Sequence, residues 1–221
     1  MNWKITMSSG FIKLAFNMKS LSEIETTVKR ATKASGYSWG VAEETAKCVR
    51  LLESFGLPGI KHINKYFSER KEDSFQNLNL ILEKNQPSAK SYCPIILGVS
   101  FLDQSKSLES FKKIELNNVA YPSIFLAFVS RASEIIGKKI HLNLDKKEII
   151  LNLNLNIYSN IAINEFPSVA NHLEINFLEN IDSFTEEEWK NLYKLSEDTF
   201  VEESESLKQG GAGAGLTDND W

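Results

Sequence analysis

The sequence predicts an α+β protein, an antiparallel sheet with packed helices, led by an N-terminal helical hairpin. Three observations predict it. Ser20 to Gly59 carries two amphipathic helical patterns around a glycine-bounded aromatic turn, Gly36-Tyr37-Ser38-Trp39-Gly40. Glu148 to Ile157 alternates Ile149, Leu151, Leu153, Leu155 and Ile157 with Asn152, Asn154 and Asn156, the period of a half-buried strand. Between them Ser123 to Ile136 is apolar on most sides, as a buried helix is.

The elements follow in chain order. Residues 1–19 carry Lys4, Lys13 and Lys19 and no acid, and Lys13 interrupts the apolar letters Phe11, Ile12, Leu14, Ala15 and Phe16. A secretory signal needs a longer clean run, so the segment reads as a loose arm or a misassigned start before Met18. Ser20 with Glu23, or Ser22 with Glu25, has capping-box spacing and opens the first helix, whose stripe is Ile24, Val28 and Ala31. Gly36 suits the left-handed position past its end. The second helix sets Val41, Thr45, Cys48, Val49, Leu52 and Phe55 on one side, and Gly56 and Pro58 close it. Ile60, Ile63 and Phe67 suggest a short third helix. Residues 68–92 read as a helix followed by a loop. Pro94 to Asp103 reads as a strand, with Gly98 marking a bulge or a close approach. Lys139–Leu144 and Glu148–Ile157 form a hairpin across Asp145-Lys146-Lys147, and His172–Leu178 repeats the alternation and pairs with it. Thr185 to Glu188 is a second capping box, opening a helix with Trp189, Leu192, Tyr193 and Leu195. The domain organisation is an arm (1–19), a single α+β domain (20–207) with a helical lead (20–90), and a glycine-rich acidic tail (208–221).

Composition narrows the function classes. The 221 residues are 42% hydrophobic and 24% charged, an ordinary globular balance. A net charge of -4 and a pI near 5.5 argue against nucleic acid, whose phosphates need a basic face. No run approaches the ~20 apolar residues of a membrane helix. Cys48 and Cys93 stand far apart in apolar runs and read as buried, reduced thiols, which suits a cytoplasmic protein.

Two places carry candidate chemistry. At the aromatic turn, free amides at the start of the second helix favour an anion, and Tyr37 and Trp39 offer stacking surfaces. Glu43, Lys47 and Arg50 follow within two turns on one side. The alternative is a structural hairpin pinned by its aromatics, with ion pairs on the solvent side. At the tail, Gly213 and Gly215 let backbone approach a surface closely, and Asp218, Asn219 and Asp220 supply polar groups. The alternative there is a solvated flexible tail. The glycines follow no strand and precede no helix, so they form no dinucleotide fingerprint. His62, His141 and His172 have no metal-ligand spacing, and no metal is expected. The cofactor stays unassigned.

The segment LSEIETTVKRATKASGYSWGVAEETAKCVR together with the ending GAGAGLTDND resembles an uncharacterised bacterial family, a domain of unknown function. Its landmarks fall on Gly36, Tyr37, Trp39, Gly40, Ala42, Glu43 and Glu44, and on Gly211, Gly213, Gly215, Asp218, Asn219 and Asp220. The resemblance implies no activity, but it implies that the tail matters. Residues 20–67 also faintly resemble the helical lead of the type-2 malate and L-lactate dehydrogenases. Lys61-His62-Ile63 stands where those enzymes have Ser-His-Gly, and the likeness is an analogy only. Three function classes follow. The first is a binding or accessory protein for a small polar or anionic metabolite or a partner protein. The second is a small metabolic enzyme built from the turn and the tail, and the third a subunit of a larger enzyme. A homo-oligomer is compatible with each.

Overall fold

The computed structural model describes residues 19–71, 74–85 and 88–200. It divides into two compact units, Met1–Asn180 and Ile181–Trp221. Among the described residues the first unit holds α1 (Leu21–Ala34), α2 (Trp39–Ser54), α3 (Gly59–Glu69), α4 (Pro94–Leu108), β1 (Ile114–Ala120), α5 (Pro122–Ile136), β2 (Lys139–Leu144), β3 (Lys147–Asn152), β4 (Asn156–Ser159) and β5 (Val169–Leu178). The strands form one antiparallel sheet in the order β1-β5-β2-β3-β4. The fold class is therefore α+β, as the patterning implies.

The helical lead follows its local signals. The Ser20 hydroxyl accepts from the Glu23 amide at 3.1 Å, so Ser20 rather than Ser22 caps α1. Gly36, at φ 94°, turns the chain out of the helix. The Ser38 hydroxyl then caps α2 by accepting from the Val41 amide. One detail differs: Ala31 is exposed, and Thr32 is buried in its place with its hydroxyl returned to the Val28 carbonyl.

Pro94–Asp103 is not a strand but most of α4. Cys93 caps this helix through its sulfur, and proline suits its first position, where no amide partner is lost. The run is apolar all round because the helix is buried, and a short buried apolar run has the same signature in strand and helix. Gly98 does mark a close approach, since a Cβ there would overlap the Phe128 ring of α5. α5 is buried along Pro122–Ser130 and packs against α2, α3, α4, β2 and β3. Full burial of a side chain such as Phe128 contributes about 1.5–3 kcal/mol, so this helix is the centre of the core.

Three further differences concern the chain between helices. α3 stops at Glu69, and the described residues between 74 and 92 hold no second helix. Isolated bridges, Gln76 to Tyr92 and Tyr92 to Val119, hold that stretch instead. β1 escapes the alternation argument because Asn118, at φ 54°, breaks its period after Ile114 and Leu116. The expected strand Glu148–Ile157 is two strands, because Leu153 and Asn154, at φ 49° and 60°, make a tight turn. Leu155 is consequently 69% exposed rather than buried. The preceding β2–β3 turn uses the same geometry at Asp145 and Lys146, φ 47° and 73°, which matches the twist of paired strands.

In the second unit, Thr185 and Glu188 complete a reciprocal capping box that opens α6 (Glu186–Glu197). Phe184 stacks on Trp189 at 5.7 Å. No helix among the described residues is long and apolar enough to cross a membrane.

Candidate functional site

Tyr37, Tyr66 and Cys93 meet at the junction of the helical lead with α4. Tyr37 occupies the short turn between Gly36 and the α2 cap, so its ring is fixed from both sides and is buried. Tyr66 lies on the inward face of α3 with His62 and Ile63. Cys93 ends the 74–92 stretch, held by its amide to the Gln76 carbonyl. The Tyr37 and Tyr66 hydroxyl oxygens are 2.5 Å apart, Tyr66 is 3.0 Å from the Cys93 sulfur, and Tyr37 is 3.5 Å from it. Each of the three groups has one proton to give and lone pairs to accept, so they can satisfy one another in a ring, and the Cys93 sulfur also accepts from the Ile96 amide. Burial pushes both phenols well above their ordinary range, so both stay protonated at pH 7.

Above this ring opens a cleft of about 570 Å³, within the ~300–1,000 Å³ range of small-molecule sites. Phe75 and Ile96 give it apolar wall. Arg70 and Lys71 stand at its mouth. The Arg70 guanidinium lies 4.5 Å over the Tyr37 ring and donates to the Ser35 carbonyl, which holds a long side chain in one place. The Lys71 amide is tied to the Ser74 hydroxyl at 2.8 Å. Among the described residues no carboxylate lines the cleft, and neither cation has an ion-pair partner. The arrangement offers positive charge, held in place at Arg70, and hydroxyl hydrogen bonds to an anion, and ring faces to whatever carries it.

The residues singled out in the sequence do not all come together. Tyr37 lines the cleft. Trp39 is two residues on but at the start of α2, 56% exposed, with the Lys33 ammonium 5.6 Å over its ring. Glu43 faces another side of α2, 2.8 Å from Lys29 and 3.1 Å from Lys47. Hydrogen bonds from Lys29, then Lys47, hold its carboxyl down at about 2. Arg50 pairs with Glu25 of α1 at 2.8 Å and borders a separate, smaller cleft. Gly213, Gly215, Asp218, Asn219 and Asp220 lie outside the described residues.

Sequence reasoning passed over Tyr66, Arg70 and Cys93. Tyr66 belongs to the α3 stripe of Ile63 and Phe67, so a helical wheel could have found it. The partnership with Cys93 spans 27 residues of irregular chain and has no local signal. His62 is buried, with its Nδ1 2.5 Å from the Ser123 hydroxyl, and burial chiefly, with Lys61 and Lys65, pulls its pKa down to about 4. Among the described residues no group of three or more His, Cys, Asp or Glu side chains is placed to hold a metal ion.

Residues 19–93 match the model of a family described as Protein of unknown function (DUF3726). That agrees with the uncharacterised family expected from the aromatic turn, and it ends before the tail. Of the nine residues lining the 570 Å³ cleft, all but Ile96 lie inside the matched segment. A search of curated proteins finds no match, and a search of solved structures finds none.

Proposed function

We propose that the protein binds a small organic anion in the Tyr37 cleft, its charged group met by Arg70 and Lys71. The observation that carries this reading is the pair of cations, without carboxylate partners among the described residues, that line a cleft with hydroxyl and aromatic walls. Cations lining a recess favour anions, and a guanidinium held over an aromatic ring loses little freedom on binding. Cleft size favours a metabolite over a bare ion. The free, buried thiols of Cys48 and Cys93 fit a reducing compartment, which supports a cytoplasmic location. A thermal-shift screen of mono- and dicarboxylates and phosphate esters tests the reading. It expects at least one organic anion to raise the melting temperature in a saturable way, and a flat response to the whole panel counts against it.

A partner protein is the second reading, and α6 favours it. Trp189, Leu192, Tyr193 and Leu195 are each about half exposed or more on this one short helix. Apolar side chains gathered in this way suit an apolar partner surface, a second copy of the chain included. Light scattering on purified wild type and Leu192→Ser reads this directly. A monomer in both, with no co-purifying chain, removes it.

A further inference from the structure

We infer that the cleft between α2, α5 and the β3–β4 turn is a second anion site, built for a compact phosphoryl group. Lys47 and Arg50 of α2, Arg131 of α5 and Asn154 of the turn line it, and among the described residues no carboxylate does. Its volume is about 270 Å³, just under the range of whole-metabolite sites and ample for one phosphoryl group. The site does not depend on the Tyr37 cleft, with which it shares no lining residue.

The three cations are placed from behind. Glu44 accepts from Arg131 and, at 2.9 Å, from Lys47. Glu43 is shared by Lys47 and Lys29, and Glu25 holds Arg50. Each of the three lining cations is thus set in place by a carboxylate behind it, as Asn154 is by Glu134. Burial works against the Glu44 carboxylate, yet Lys47 and Arg131 keep its pKa below the ordinary value, so it stays an anchor at neutral pH. A guanidinium has five N–H donors. Arg50 commits Nη1 to Glu25, and Arg131 commits Nη1 to Glu44 and the Cys48 sulfur. The remaining donors of both guanidinium groups are available to a bidentate acceptor, the geometry phosphate offers. The turn supplies the last wall: Leu153 and Asn154 take left-handed backbone, and Asn154 is fixed by Ser130 at 3.1 Å and Glu134 at 3.1 Å. A mere surface ion-pair network needs no such recess.

Titration of inorganic phosphate and, separately, glycerol 3-phosphate against the full chain at low ionic strength tests the inference, read by calorimetry. Saturable one-site binding is expected, weakened about tenfold or more in Arg50→Gln and again in Arg131→Lys, which keeps the charge but loses the planar fork. Tighter binding of the ester than of inorganic phosphate assigns the site to a phosphorylated metabolite, and the reverse to the free ion. Arg70→Gln, in the other cleft, should leave both titrations unchanged. Absent saturation, equal affinity in Arg50→Gln and Arg131→Lys, or a loss caused by Arg70→Gln instead would each overturn it. Arg50 is half exposed, so its substitution leaves a folded protein, and the melt of each variant checks this.

Discussion

The Tyr37 and Tyr66 hydroxyl oxygens lie 2.5 Å apart, although 29 residues separate them in the chain. This contact joins the aromatic turn to α3, and through the Cys93 sulfur both are joined to the cap of α4. The same three groups that close the floor of the cleft therefore lock three helices together.

Tyr66→Phe should cost about 1–3 kcal/mol, because it leaves a buried hydroxyl and a buried thiol short of a partner. Tyr37→Phe should cost a similar amount. The double variant should cost clearly less than the sum, since each single change breaks the same ring. Urea melts of the four proteins give the coupling directly, and strictly additive costs would show that the ring is not one unit.

Gly98→Ala should destabilise by about 1–3 kcal/mol or more, because the new methyl meets the Phe128 ring in a packed core. Denaturant melts compare it with Gly40→Ala, where a Cβ meets nothing within 4 Å. Equal costs at the two positions would contradict the helix–helix approach described.

Trp39→Ala should cost well below the ~3–5 kcal/mol of a buried tryptophan, since the side chain is 56% exposed. Thermal melts settle the size of the loss. A core-sized loss would mean that the indole packs against something the exposed position does not indicate.

Stability should fall as pH drops from about 6.5 to about 4. His62 keeps a folded pKa of about 4, below its ordinary 6.5, so the unfolded chain takes up a proton that the folded chain refuses. The stability at stake is on the order of 3 kcal/mol, fully present above pH 6.5 and progressively lost toward pH 4. His62→Gln should remove that slope from urea midpoints measured across the window, and an unchanged slope would assign it to other groups.

Much of the fold was legible. The caps of α1 and α6, the glycine at the end of α1 and the β2–β3 hairpin all act through neighbours within a few residues, where sequence carries the information. Pro94–Leu108 was misread because burial on all sides erases the period that separates helix from strand. β1 and the β3–β4 turn were missed because Asn118, Leu153 and Asn154 take left-handed backbone without a glycine to announce it. Of the candidate site, Tyr37 was found from its turn. Tyr66 shares the apolar stripe of α3, but its meeting with Cys93, like the placing of Arg70, comes from tertiary packing, which no local pattern encodes.

The central claim is that Arg70 and Lys71 hold an organic anion over the Tyr37–Tyr66–Cys93 ring. Calorimetric titration of the tightest carboxylate or phosphate ester from the panel, into wild type and into Arg70→Gln with Lys71→Gln, tests it most directly. Both side chains are exposed, so the double variant should melt with wild type while losing at least about tenfold in affinity. Arg50→Gln should bind that same probe as wild type does if the probe occupies this cleft. Unchanged affinity in the double variant would contradict the account.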